Sequence, residues 1–166
     1  MPMTSSTSPL HVRWLGSVPY TDALAIQDSM FRHGTDNRLL LLEHPHVFTY
    51  GPSADLEKNL RCDPAAVGAD FVAVKRGGDI TYHGPGQLVI YPLIQLKEKA
   101  CDLHAYLHTL EEAMMAVVGD FGLEGMRDQR NTGCWVNDHK VASIGVAVRK
   151  WVTYHGVALN VNTDLR

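Results

Sequence analysis

Apolar and polar positions alternate in short blocks, which divides the chain into brief strands around two helices. Residues 10–15 predict a first short strand. Over residues 21–33, Ala23, Ile26 and Met30 recur at helical spacing, with Thr21 as the N-cap and Gly34 as the stop. Residues 39–43 form a continuous apolar run that ends in a charge and meets His44-Pro45, so a buried strand fits better than a helix. Residues 71–75 and 87–96 read as further strands. Asp102 then caps a second helix whose buried side carries Leu103, Tyr106, Leu107, Leu110, Met114, Val117 and Val118. Residues 133–136, 140–148 and 152–161 return to the strand pattern, separated by short polar turns. The sum is an α/β domain of the α+β kind, with a mainly antiparallel sheet flanked by helices and no βαβ repeat.

Composition narrows this picture. With 166 residues, 45% of them hydrophobic and 20% charged, the chain suits one globular domain over residues 10–166. Residues 1–9 lack the basic and apolar blocks of a secretory signal and read as a short disordered lead. No apolar run approaches the roughly 18 residues that cross a bilayer, so no membrane is expected and the cytoplasm is the default compartment. A formal net charge of -3 argues against nucleic acid as a partner. Cys62, Cys101 and Cys134 form no Cys-x-x-Cys pair, and His104 and His108 lack the glutamate of a His-Glu-x-x-His motif. No metal and no cofactor are expected. His44 and His46, around a proline, read as surface or capping histidines.

The densest chemistry lies in Arg76-Gly77-Gly78-Asp79-Ile80-Thr81-Tyr82-His83-Gly84-Pro85-Gly86-Gln87. Four glycines in twelve residues allow close backbone approach to a ligand, while Arg76, Thr81, His83 and Gln87 supply hydrogen-bonding groups around it. The alternative is a glycine-rich surface hairpin with solvated polar groups. It is not a phosphate loop, because the Gly-Lys-Ser/Thr ending is missing.

This segment resembles the signature of the octanoyltransferases of lipoate synthesis. Three further stretches agree, in the family's order: residues 39–45 followed by Val47-Phe48-Thr49-Tyr50-Gly51, then Lys140-Val141-Ala142-Ser143-Ile144-Gly145-Val146, then His155-Gly156-Val157-Ala158-Leu159-Asn160 with Asp164-Leu165 beyond. The resemblance implies the catalytic-domain fold of the biotin and lipoate protein ligases. It implies transfer of an octanoyl group from acyl carrier protein to a lysine of a lipoyl domain, by way of a cysteine thioester and without ATP. Lys140 is then the catalytic partner that stabilises the thiolate. Arg76, Gly77, Gly78, Asp79, Ile80, Thr81, Tyr82 and His83, with Ser143, Ile144, Gly145, His155, Gly156 and Val157, line the acyl pocket, and Gly77, Gly78, Gly145 and Gly156 leave room for the eight-carbon chain.

In the family, a Pro-Cys-Gly carrying the nucleophile follows the Asn-x-x-x-Asp-Leu stretch. No Pro-Cys-Gly occurs in these 166 residues, so the expectation is a domain that lacks its C-terminal region. Cys134 is the nearest alternative in sequence. If Asn137-Asp138 makes a two-residue hairpin, Trp135 pairs with Lys140 and Cys134 with Val141, which turns Cys134 away from Lys140. Two rival readings stay open at this point, an ATP-dependent lipoate or biotin ligase of the same fold and a non-catalytic acyl-binding protein. Arg61, Lys75, Arg149 and Lys150 are candidates for a surface that docks an acidic carrier protein.

Overall fold

The computed structural model describes residues 9–33, 36–96 and 101–165. Residues 1–8 of the expected lead over residues 1–9, and the expected helix stop at Gly34, lie outside the described residues.

Strand β1 (Leu10–Ser17) leads into helix α1 (Tyr20–His33), then β2 (Asn37–Glu43), β3 (Val47–Tyr50), the single-turn α2 (Leu56–Asn59), β4 (Asp70–Ala73), β5 (Thr81–His83) and β6 (Gln87–Leu93). The long helix α3 (Leu103–Asp120) separates these from β7 (Gly133–Val136), β8 (His139–Arg149) and β9 (Val152–Asn160). Six strands form the main sheet in the order β1-β2-β6-β9-β8-β7, and three form a small sheet in the order β4-β3-β5. Most neighbours are antiparallel, as expected, but β1–β2 and β3–β4 run parallel. The helix α1 that crosses between β1 and β2 allows their parallel pairing.

Alternation along β6 explains the layers. Val89, Tyr91 and Leu93 pack with Leu40, Leu42 and Ala23 beneath α1, where Ile26 and Met30 complete the contact. Leu88 and Ile90 point the other way, toward Val157, Leu159, Ile144 and the α3 residues Met114 and Val118. The two helices therefore cover opposite faces of the main sheet. Tyr20, Val47 and Val74 join α1 to the small sheet.

Several expectations need adjustment. Helix α1 begins at Tyr20, and the Ala23 amide donates to the Pro19 carbonyl at 3.0 Å, so Thr21 lies inside the first turn and is not the cap. Asp102 does cap α3, its carboxylate accepting from the Ala105 amide at 3.0 Å. On that helix Leu103 is 37% exposed, whereas Glu111, absent from the expected buried side, is 6% exposed. Strands β3 and β5 escape the periodicity argument because they span only four and three residues. No helix among the described residues is long and apolar enough to cross a membrane.

Candidate functional site

The sequence dictates the hairpin that carries Lys140. Asn137 and Asp138 take φ of 48° and 65°, the left-handed pair of a tight hairpin turn, and Trp135 pairs with Lys140 as that turn requires. Gly133 is necessary here. Its φ is +154°, and a Cβ would lie 2.3 Å from the Ala142 carbonyl oxygen and 2.5 Å from Lys140 Cε. A register shift between Cys134 and Trp135 then pairs Cys134 with Ala142, not with Val141. Cys134 is fully buried among Met114, Val118, Ala142 and Ile144. Burial pushes its thiol up, which disfavours the nucleophilic thiolate.

Lys140 borders a cavity of about 550 Å³, within the ~300–1,000 Å³ range of small-molecule sites. Among the residues singled out from sequence, Arg76, Gly77, Gly78, Asp79, Ile80, Thr81, His83, Ser143, Ile144, Gly145, His155, Gly156 and Val157 all line it. Tyr82 does not. Side chains alternate along β5, so Thr81 and His83 face the cavity while Tyr82 turns outward, bonded to His46 at 2.7 Å and packed on Phe48.

One half of the cavity is polar. The Arg76 guanidinium is buried and donates through Nη2 to the Thr49 carbonyl (2.9 Å), Thr49 Oγ1 (2.8 Å) and Thr81 Oγ1 (2.9 Å), and through Nη1 to the Gly77 carbonyl (3.0 Å). It clamps the glycine segment to β3 and β5, a structural role beyond the ligand-facing one expected. Burial pushes its pKa down, opposed by the electrostatic influence of Tyr20, Tyr91 and Asp79, and no ion pair holds it among the described residues.

Three neutral imidazoles surround this clamp. Gln87 Nε2 donates to the Tyr82 carbonyl and to Asn160 Oδ1, which leaves Gln87 Oε1 to accept from His83 Nδ1 at 2.7 Å. His83 Nε2 must then be the acceptor, facing Thr49 Oγ1 at 3.3 Å. Burial pushes His83 down to about 3. His155, held at φ 57° with its amide donating to Gln27 Oε1 at 2.8 Å, is pushed down to about 4 by burial and then by Arg76.

His44 is the third, and here the sequence reading is corrected. It is fully buried, not a surface residue. Its Nδ1 donates to the Val18 carbonyl at 2.6 Å, so Nε2 accepts from Tyr91 Oη at 2.8 Å. Burial lowers its pKa as well. Tyr20 and Tyr91 complete the group, and burial holds both phenols protonated, Tyr20 at about 12. Tyr20 and Tyr91 were not singled out from sequence, and His44 and Thr49 stood only within the stretch over residues 39–51 that carries the resemblance, with no place in the pocket assigned to them.

The other half is apolar, formed by Leu103 and Leu107 of α3 with Ile144, Val146 and Val157. The glycines do not make this room in the way expected. A Cβ at Gly156 would meet the Ile90 carbonyl oxygen at 2.2 Å, and one at Gly145 would meet the Gly77 carbonyl oxygen at 3.0 Å. Both positions admit neighbouring backbone and so hold the walls together. Lys140 Nζ donates to Asn131 Oδ1 at the rim, with its pKa lowered by burial and by Arg76 and opposed by Glu111. No group of three or more metal-binding side chains is formed among the described residues.

Comparison with known proteins places this geometry. The lipoyl protein ligase A/B catalytic domain family matches residues 19–166. The chain is 47% identical over 160 residues to an octanoyltransferase of Solibacter usitatus, covering 93% of this chain and 73% of that protein. It is 48% identical over 155 residues to one from Geotalea uraniireducens, covering 91% and 70%. Among solved structures, lipoate-protein ligase A bound with ATP superposes with a TM-score of 0.71 at 18% identity, over 95% of this chain and 68% of that one. An archaeal lipoylation system from Thermoplasma acidophilum, a bi-partite lipoate protein ligase and its E2 lipoyl domain, gives 0.74 at 20% identity, over 96% and 64%. The chain belongs to the lipoyl protein ligase A/B catalytic-domain family, among its octanoyltransferases.

Proposed function

We propose that this domain transfers an octanoyl group to a lysine of lipoyl domains, and that its donor is octanoyl-acyl carrier protein. The observation that carries this reading is the cavity itself. It brings the glycine segment, Ser143–Gly145 and His155–Val157 together, with an apolar half sized for a fatty chain and Lys140 at its rim. An eight-carbon chain buried against Leu103, Leu107, Ile144 and Val157 gains about 0.8 kcal/mol per methylene. Acyl transfer between thioesters is nearly isoenergetic, so the chemistry needs no ATP, and a thiolate is the suitable nucleophile.

Lys140 is the cation for that thiolate. As an ammonium it favours the ionised sulfur, and it returns a proton to the departing group. Cys62 is exposed, Cys134 is sealed in the core, and neither they nor Cys101 lines the cavity. The nucleophile in this reading is the Pro-Cys-Gly cysteine that the family resemblance implies, with Lys140 as its cation. Arg76 and His83 shape the pocket and stay fixed, because their hydrogen bonds are already made within the protein. Lys75 and Arg149, which border a second cavity of about 310 Å³, belong with Arg61 and Lys150 to the surface that meets the acidic carrier.

The test joins this domain to the Pro-Cys-Gly segment of an octanoyltransferase and follows the mass of a lipoyl domain. With octanoyl-carrier protein as donor, the acceptor should gain one octanoyl group without ATP, and Lys140→Ala should abolish the gain. A requirement for ATP and free octanoate would overturn the reading.

A further inference from the structure

The segment leading into β7 has a role that the motifs above do not include. Lys140 reaches the cavity rim with its Nζ donating to Asn131 Oδ1. Asn131 lies outside every stretch that carries the family resemblance, yet it lines the same cavity.

Two contacts fix the Asn131 segment. The Trp135 indole Nε1 donates to the Asn131 carbonyl at 3.4 Å. Two residues on, the Gly133 amide donates to Glu111 Oε1 on α3 at 3.2 Å. The same carboxylate is held from its other oxygen by Arg127 Nε at 2.8 Å and His108 Nδ1 at 3.1 Å. Glu111 is buried on an otherwise apolar helix face. A carboxylate in that place is costly unless fully bonded, and Arg127 and His108 hold it where its other oxygen receives the Gly133 amide, two residues from Asn131.

We propose that Asn131 is a positioning residue for Lys140: its side-chain oxygen sets the direction of the ammonium, and Glu111 of α3 fixes Asn131 through Gly133. Trp135 supports the same arrangement, since Lys140 Nζ lies 5.9 Å from the centre of its ring. A lysine on a strand otherwise has four freely rotating bonds, and an oriented acceptor selects one direction among them. The consequence for acyl transfer rests on the octanoyltransferase reading. The positioning does not, and it is measured separately.

The experiment is trace acylation of the folded 166-residue chain with acetic anhydride across pH, with Lys140 read by peptide mass. The quantity is the pH of half-maximal labelling, which depends on the ammonium and not on access. Asn131→Ala removes an acceptor from the ammonium and should lower that pH by about half a unit to one unit. Asn131→Asp supplies a charged acceptor at the same place and should raise it by a similar amount. A merely structural asparagine would give both variants the same sign of shift, or none, and either result overturns the proposal. Should Asn131→Ala fail to fold, Asn131→Leu, which keeps the volume without the acceptor, takes its place and should lower the pH of half-maximal labelling in the same way; an unchanged or raised value overturns the proposal.

Discussion

The buried imidazoles make a definite statement about acid stability. An unfolded histidine titrates near 6.5, whereas in the folded domain burial pushes His83 down to about 3 and His155 to about 4. Between those values the unfolded chain binds protons that the folded one refuses, so stability rises with pH across this window. The contribution is complete above about pH 6.5 and is lost progressively as the solution is acidified. Each refused proton is worth about 1.4 kcal/mol per pH unit, so two residues give a slope of roughly 2.7 kcal/mol per unit between pH 6 and 5. His44 adds to it in the same direction. From pH 7 to pH 4.5 the two together remove about 5 kcal/mol, comparable with the whole stability of many domains.

The assay is urea denaturation at pH 7, 6 and 5, followed by fluorescence of the tryptophans. The midpoint should fall steeply over this range, and His155→Gln should reduce the slope by about one proton. A midpoint that is the same at pH 5 and pH 7 would mean the imidazoles are not held neutral, and the account of the polar half of the cavity would fail.

Two other consequences are simple to check. Gly156→Ala should destabilise the domain by about 1–3 kcal/mol in thermal melts, since its Cβ would overlap the Ile90 carbonyl, whereas Gly77→Ala, whose Cβ would meet only the Val146 carbonyl oxygen at 3.6 Å, should cost less; equal melting temperatures for the two variants would contradict this. Exposed Cys62 should react with a thiol reagent in the native protein while Cys134 stays unmodified until the domain unfolds, and early labelling of Cys134 in a peptide map would contradict its burial.

Much of the site was legible because its residues are unusual where they stand. A glycine-rich run with arginine, threonine and histidine has no place in a core, and the hairpin at Asn137-Asp138 gave the pairing of Trp135 with Lys140 from turn chemistry alone. What escaped depended on contacts across the fold. The bulge that moves Cys134 to Ala142 arises within the pairing of β7 with β8 and has no local signal. His44 looks like any polar residue before a proline, and only Val18 and Tyr91, distant in sequence, make its burial possible. Tyr82 sits inside the motif, but the period of two along β5 places it on the opposite face from Thr81 and His83. Arg76 was expected to face a ligand because its acceptor Thr49, 27 residues away, belongs to a strand too short to be recognised.

The central claim is that the cavity beside Lys140 receives the octanoyl chain. The most direct measurement is photo-crosslinking of the folded chain with an octanoyl thioester carrying a diazirine at its far end, followed by peptide mapping. The account predicts attachment within the apolar half, at Leu103, Leu107, Ile144 or Val157, with competition by unlabelled octanoyl thioester. Attachment confined to the second cavity, at Leu24, Phe31 or Val74, would contradict it.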